Sequence, residues 1–244
     1  MERTILAVAG PDRDKFLHGL LTRDVLEEGL GYAALLNPQG KYLADFLTLR
    51  QEDRILLDVA TPLAGPLAQR LGMYRLRSKV EIAPTDMPVA TGTGPAPEGA
   101  LPDPRHAALG WRLYGRAAPD ETDRDALRVA HLIPETGIEL IPGESYILEM
   151  GFERLGGVDF RKGCYVGQEV TARMKHKTEL RKGLARVAVD GAAEPGTPIT
   201  RDGRPVGTLH TRSGGRALAY LRLDRAGGEM AAGAARVTLD AARP

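Results

Sequence analysis

The one cysteine of the chain, Cys164, sits in Lys162-Gly163-Cys164-Tyr165-Val166-Gly167-Gln168-Glu169, with a glycine on each side. Glycines allow tight turns and let another molecule approach the backbone closely. The nearby Lys162 ammonium favours thiolate over thiol, and a helix over Gln168 to Met174 would add a favourable dipole at its start. Such a setting describes a reactive or ligand-facing cysteine. The alternative is a small, inert, buried hydrophobe, the commonest fate of a free cysteine.

Two carboxylates also stand out. In an extended Lys41 to Arg50, alternation puts Leu43, Asp45, Leu47 and Leu49 on one face. A carboxylate in a leucine stripe must be paired, protonated or turned towards a cavity, because a bare buried charge is costly. A polar ligand, a structural arginine or solvent at a strand edge would each satisfy it. Glu144 follows Ile141-Pro142-Gly143 and alone reads as a loop carboxylate. Arg173, Lys175, His176, Lys177, Arg181 and Lys182 form a basic stretch after the cysteine. It suits a solvated helix face or an anion site.

These residues need elements to hold them. Thr4 to Val8 reads as a strand, and Asp12 as the cap of a helix carrying Phe16, Leu17, Leu20 and Leu21. Tyr32 to Leu36 and Lys41 to Arg50 form a hairpin about Asn37-Pro38-Gln39-Gly40, followed by a strand over Arg54 to Ala60. Helical spacing runs from Pro62 to Met73, and Arg75 to Ile82 alternates like a strand. The stretch 84–119 is rich in Pro, Gly and Ala, with one strand at Trp111 to Tyr114, and reads as a loop-rich subdomain. A helix opens at Thr122-Asp123-Arg124-Asp125 and stops at Pro134. Short strands follow at Arg186 to Val189, Pro198 to Thr200, Val206 to His210, Ala217 to Leu223 and Arg236 to Leu239. Their spacing predicts a β-barrel of roughly sixty residues. The expected domains are 1–182 and 183–244, in an α+β protein.

The 244 residues carry a net charge of +1, which argues against nucleic acid as a partner. One cysteine excludes a disulfide framework, a multi-cysteine zinc site and a four-thiolate iron–sulfur cluster. The five histidines are scattered, so no metal site is expected, and phosphate-binding glycine motifs are absent. The N-terminal apolar run is too short for a signal peptide or a spanning helix. A cytoplasmic protein with no membrane partner is the expectation.

The motif from Lys162 to Glu169 resembles the signature of the YgfZ proteins, folate-binding relatives of the aminomethyltransferase of the glycine cleavage system. Gly156-Gly157-Val158-Asp159-Phe160-Arg161, Val170-Thr171-Ala172-Arg173, Phe16 to Val25 and Arg75 to Val80 are also similar to that family. The resemblance implies an aminomethyltransferase-like fold of three subdomains around a central folate channel, with a C-terminal β-barrel. It puts Asp45 at the position of the transferase's catalytic aspartate. It further implies contacts to tetrahydrofolate or a one-carbon derivative from Asp45, Glu144, Lys162, Gly163, Cys164, Tyr165, Gly167, Gln168, Glu169 and Arg173. Cys164, Lys162 and Asp45 are the candidates for chemistry.

Arg124 to Val129 resembles a transferase run that continues with a pterin-binding glutamate, where this chain has Ala130. A methyl group cannot accept the ring's N–H donors. The family also often has glycine near Thr178. The function so implied is tetrahydrofolate-dependent support of iron–sulfur protein assembly or repair, with iron–sulfur enzymes or their assembly machinery as partners. A folate-dependent aminomethyl or methyl transferase is the first alternative, favoured by Asp45 and opposed by Ala130. A non-catalytic module touching RNA through the basic stretch is the second.

Overall fold

The computed structural model describes residues 1–176 and 179–240 in two compact units. The first takes in 1–122, 142–144 and 153–170, and the second 123–141, 145–152 and the chain from 171 onwards. The barrel unit therefore recruits segments that precede it in the sequence.

The first unit is built on a five-stranded antiparallel sheet. Its strands are β1 (Arg3–Ala9), β2 (Leu30–Leu36), β3 (Tyr42–Arg50), β4 (Arg54–Ala60) and β5 (Glu81–Thr85), in the order β2-β3-β4-β1-β5. Helices α1 (Arg13–His18) and α2 (Thr61–Arg75) cover one face. There Leu6, Val8, Leu35, Phe46, Ile55 and Leu57 pack against Phe16, Leu17, Leu67 and Leu71. Burying such side chains stabilises by roughly 1.5–3 kcal/mol each. Asp12 stands at the start of α1 but does not cap it; its carboxylate accepts from the Lys79 amide at 2.7 Å instead.

The opposite face of the sheet mixes buried aliphatic residues (Ile5, Leu36, Leu47, Leu56) with the charged Arg3, Asp45 and Asp58, and side chains of a second sheet reach it. The stretch 84–119 carries β6 (Val89–Gly92), β7 (Leu101–Pro102) and β8 (Trp111–Tyr114), in the order β6-β8-β7. Arg112 and Tyr114, two residues apart on β8, both donate to Asp58 of β4, at 2.8 and 2.9 Å. Arg3 adds a 2.6 Å contact to the same carboxylate. Burial alone would raise the Asp58 carboxyl, but Arg3, Arg112 and the hydrogen bonds hold it below the ordinary carboxylate range.

The strand expected over Arg75 to Ile82 is corrected. α2 continues to Arg75, Leu76 turns the chain with φ 42°, and pairing begins only at Glu81. Alternation was present, but among the described residues no strand pairs with 76–80.

In the second unit, α3 (Arg124–His131) is capped by Asp123, which accepts from the Ala126 amide at 2.9 Å. Strands β9 (Lys182–Asp190), β10 (Pro198–Arg201), β11 (Arg204–Ser213), β12 (Arg216–Arg222), β13 (Glu229–Ala232) and β14 (Ala235–Leu239) close into a barrel. The order is β10-β11-β12-β9-β14-β13, with β10 pairing back onto β13. Helix α4 (Gln168–His176) links the two units along the chain. Lys177 of the basic stretch and Thr178 lie outside the described residues.

Candidate functional site

Asp45 is 7% exposed and lies on the face of the first sheet away from the helices, beside buried Leu47. Leu35 pairs with Ala44 but Leu36 with Tyr42, so Leu43 is an extra residue, a β-bulge. The bulge resets the alternation. Leu43 turns to the helix-covered core, and Tyr42 comes round to the side of Asp45. The stripe expected from strict alternation is therefore corrected at Leu43. Tyr42 donates its hydroxyl to one Asp45 oxygen at 2.7 Å, and Tyr32 donates to the other at 2.9 Å. Burial together with the Asp45 charge pushes the Tyr32 phenol well above its ordinary pKa, which keeps it a donor. Arg105 stacks over the Tyr32 ring, 5.6 Å from its centre, while pairing with Asp103 at 2.8 Å.

Glu144 is drawn towards the same hairpin. The Gly143 amide donates to the Tyr42 carbonyl at 2.7 Å, and Lys41 Nζ donates to the Glu144 carbonyl at 2.6 Å. The Glu144 side chain itself is exposed. Tyr42 thus bridges the two carboxylate-bearing segments, its backbone on one and its hydroxyl on the other.

The cysteine motif is pinned at both ends. Lys162 turns inward, and its Nζ donates to the carbonyls of His18 and Leu21, both at 2.6 Å. His18 ends α1, where a cation is favoured, and Leu21 lies three residues beyond it. The ammonium also lies 5.1 Å from the centre of the buried Tyr165 ring. Burial pushes Lys162 down to about 8, with Asp24, Asp159 and Cys164 pulling the other way.

At the other end, Gly167 has φ +83°, and a Cβ there would stand 2.6 Å from the Asn37 carbonyl oxygen. A Cβ on Gly40 would stand 2.7 Å from Val170 Cβ. Two glycines therefore let the motif sit directly on the turn of the Asp45 hairpin. Between the pins, Gly163 and Cys164 are exposed.

The remaining expected site residues lie along α4. Gln168 is half-buried at its start, Glu169 is exposed in its first turn, and Arg173 is exposed in its last turn. Both charges are placed as the helix dipole favours.

Sequence reasoning did not single out Tyr32, Tyr42, Arg105, His18 or Asp24. His18 Nδ1 lies 3.3 Å from Asp24 Oδ1, and its Nε2 would stand 3.4 Å from a Cβ on Gly163. The paired tyrosines flanking an acidic residue in an apolar hairpin were the available signal for the Asp45 cluster. Among the described residues no group of His, Cys, Asp and Glu is placed to hold a metal ion, and no helix is long and apolar enough to cross a membrane.

Among solved structures, the chain is similar to the glycine cleavage system aminomethyltransferase T from Bartonella henselae. The TM-score is 0.70 at 14% identity, covering 99% of this chain and 83% of that one. The fold is aminomethyltransferase-like. Residues 181–244 match the family described as the C-terminal beta-barrel domain of CAF17. Over 99% of its length the chain is 32% identical to the human mitochondrial iron-sulfur cluster assembly factor IBA57, covering 82% of that protein. The mouse counterpart is 30% identical over 90% of the chain and 75% of its own length. The chain belongs to the YgfZ/IBA57 family. Both relatives are mitochondrial by name, and this overturns the cytoplasmic expectation.

Proposed function

We propose that the chain supports assembly or repair of iron–sulfur proteins and binds a reduced folate in doing so. Its relatives are named iron-sulfur cluster assembly factors, and its partners are then iron–sulfur enzymes or their assembly machinery. The observation that carries the folate part is Asp45, a buried carboxylate held at both oxygens by tyrosine hydroxyls on an otherwise largely apolar sheet face. A carboxylate is the kind of group that accepts the N–H donors of a pterin. Tyr32 and Tyr42 orient it for that task. Tetrahydrofolate or its one-carbon derivative would supply a carrier for a one-carbon unit. Cys164, exposed between the buried anchors Lys162 and Tyr165, presents the thiol that meets the iron or sulfur of a client.

Two measurements test the two halves separately. Calorimetric titration with tetrahydrofolate should give a micromolar constant, about 8 kcal/mol of binding energy, and Asp45→Asn should weaken it about tenfold. No binding at millimolar ligand would remove folate from the function. For the thiol, Cys164→Ser should fail to restore iron–sulfur enzyme activity in cells lacking the endogenous protein. Its stability should change by no more than about 0.5 kcal/mol, since the site is exposed. Full restoration by that variant would return Cys164 to the inert class.

A further inference from the structure

Away from the cysteine motif and the Asp45 cluster, the end of α2 and the loop after it form a surface that neither reading uses. A groove of about 770 Å³ runs between this loop and α1, with Phe16 and Tyr74 among its lining residues and Lys15 and Arg77 beside them. Leu76, one of its lining residues, is 89% exposed, and Met73, one helical turn earlier, is 63% exposed; they are two of the five large hydrophobic residues exposed in the described chain. Lys15, Arg70, Arg75, Arg77 and Lys79 are exposed around them. None of these five cations has an ion-pair partner among the described residues.

The loop is held in this shape rather than loosely draped. The Lys79 amide donates to Asp12, the Ser78 amide donates to the Arg75 carbonyl at 2.7 Å, and Gly10 lies so close that a Cβ would stand 2.3 Å from the Lys79 carbonyl. Leu76 has φ 42° and ψ −106°, a backbone conformation suited to glycine. The fold thus keeps an apolar side chain in solvent on a strained residue, between the exposed cations Arg75 and Arg77.

We propose that this ridge and groove are a docking surface for an acidic segment of a partner protein that carries an apolar anchor residue. Charge complementarity selects the acidic partner, because the exposed Lys15, Arg70, Arg75, Arg77 and Lys79 on and near this ridge outnumber Asp12, the carboxylate that lines the groove. A concave groove accepts an inserted side chain, whereas a bilayer would favour a continuous apolar face. A second copy of this chain is disfavoured, since a two-fold contact would bring the same cations face to face. Nucleic acid would make no use of Leu76 and Met73. The proposal is independent of folate binding.

The test uses the full chain and a fluorescent polyglutamate peptide bearing two leucines three residues apart. Controls are the same peptide with serine for leucine, and vesicles of equal parts phosphatidylserine and phosphatidylcholine. The leucine peptide should bind with micromolar affinity that falls with added salt, and protect 70–80 from hydrogen exchange. Arg77→Glu and Leu76→Asp should each weaken it about tenfold, with tetrahydrofolate titration unchanged. Leu76→Gly should bind more weakly yet melt at a higher temperature, because the strain is relieved while the anchor contact is lost. Equal binding of the serine peptide, or indifference to these variants, would overturn the proposal. So would vesicle binding that competes with the peptide, or a dimer in sedimentation that Leu76→Asp disperses.

Discussion

Lys162 carries its charge into the protein. Its position two residues before Cys164 suggested a role in lowering the thiol's affinity for its proton, but the side chain turns inward to the His18 and Leu21 carbonyls. Nothing in the local sequence points that way; the direction is set by where α1 ends, more than a hundred residues earlier. The consequence is a measurable pH dependence. Burial pushes the group down to about 8 in the folded protein, against 10.5 ordinarily. Between those values the unfolded chain binds more protons than the folded one, so this residue makes stability rise with pH across the window. Below it both states carry the ammonium, and the burial cost is felt in full. Urea midpoints measured across the window should climb more steeply for the natural chain than for Lys162→Met. Equal slopes would mean that the ammonium is not desolvated in the fold.

The strands and helices were legible wherever one element's own pattern decided its fate. β4 and β8 fall where alternation and turn residues put them, and most barrel strands lie at the expected positions. β13 escaped because Glu229-Met230-Ala231-Ala232, between glycines, carries no β-branched residue. The bulge at Leu43 was invisible for another reason: it is a mismatch in pairing with β2, not a property of β3 alone. Yet that bulge delivers Tyr42 to Asp45, so that part of the carboxylate's support could not be foreseen.

The seat of the motif on the hairpin turn is similar. Gly167 and Gly40 were legible as turn residues but not as partners. Gly167→Ala should cost about 1–3 kcal/mol for the left-handed backbone, plus more for the clash with the Asn37 carbonyl. Chemical denaturation should register that loss, and support of iron–sulfur enzymes should fall with it. An unchanged unfolding midpoint would show that motif and turn are not in contact.

Taken as a whole, the chain shares its fold with an aminomethyltransferase at 14% identity, and at that distance a fold does not bring an activity with it. The family was legible because an eight-residue motif survives where overall identity is low. The activity was not, because it depends on whether particular acceptors remain. Asp45 remains, buried and doubly hydrogen-bonded. The run from Arg124 to Val129 remains as α3, and its arginine Arg128 is committed to a structural network with Glu135, Glu139 and Thr211. After it comes Ala130, whose backbone carbonyl accepts from Arg186 at 2.5 Å and whose side chain offers no acceptor. A folate bound without that acceptor would be held less firmly in the orientation transfer requires, and misplacement by about an ångström can cost about a hundredfold in rate. The chain, mixed with aminomethyl-loaded lipoyl carrier and tetrahydrofolate, should therefore form no methylene-folate above the uncatalysed rate, even where calorimetry registers folate binding. Rapid, carrier-dependent formation of methylene-folate would replace the accessory function with a transferase one and place the catalytic burden on Asp45.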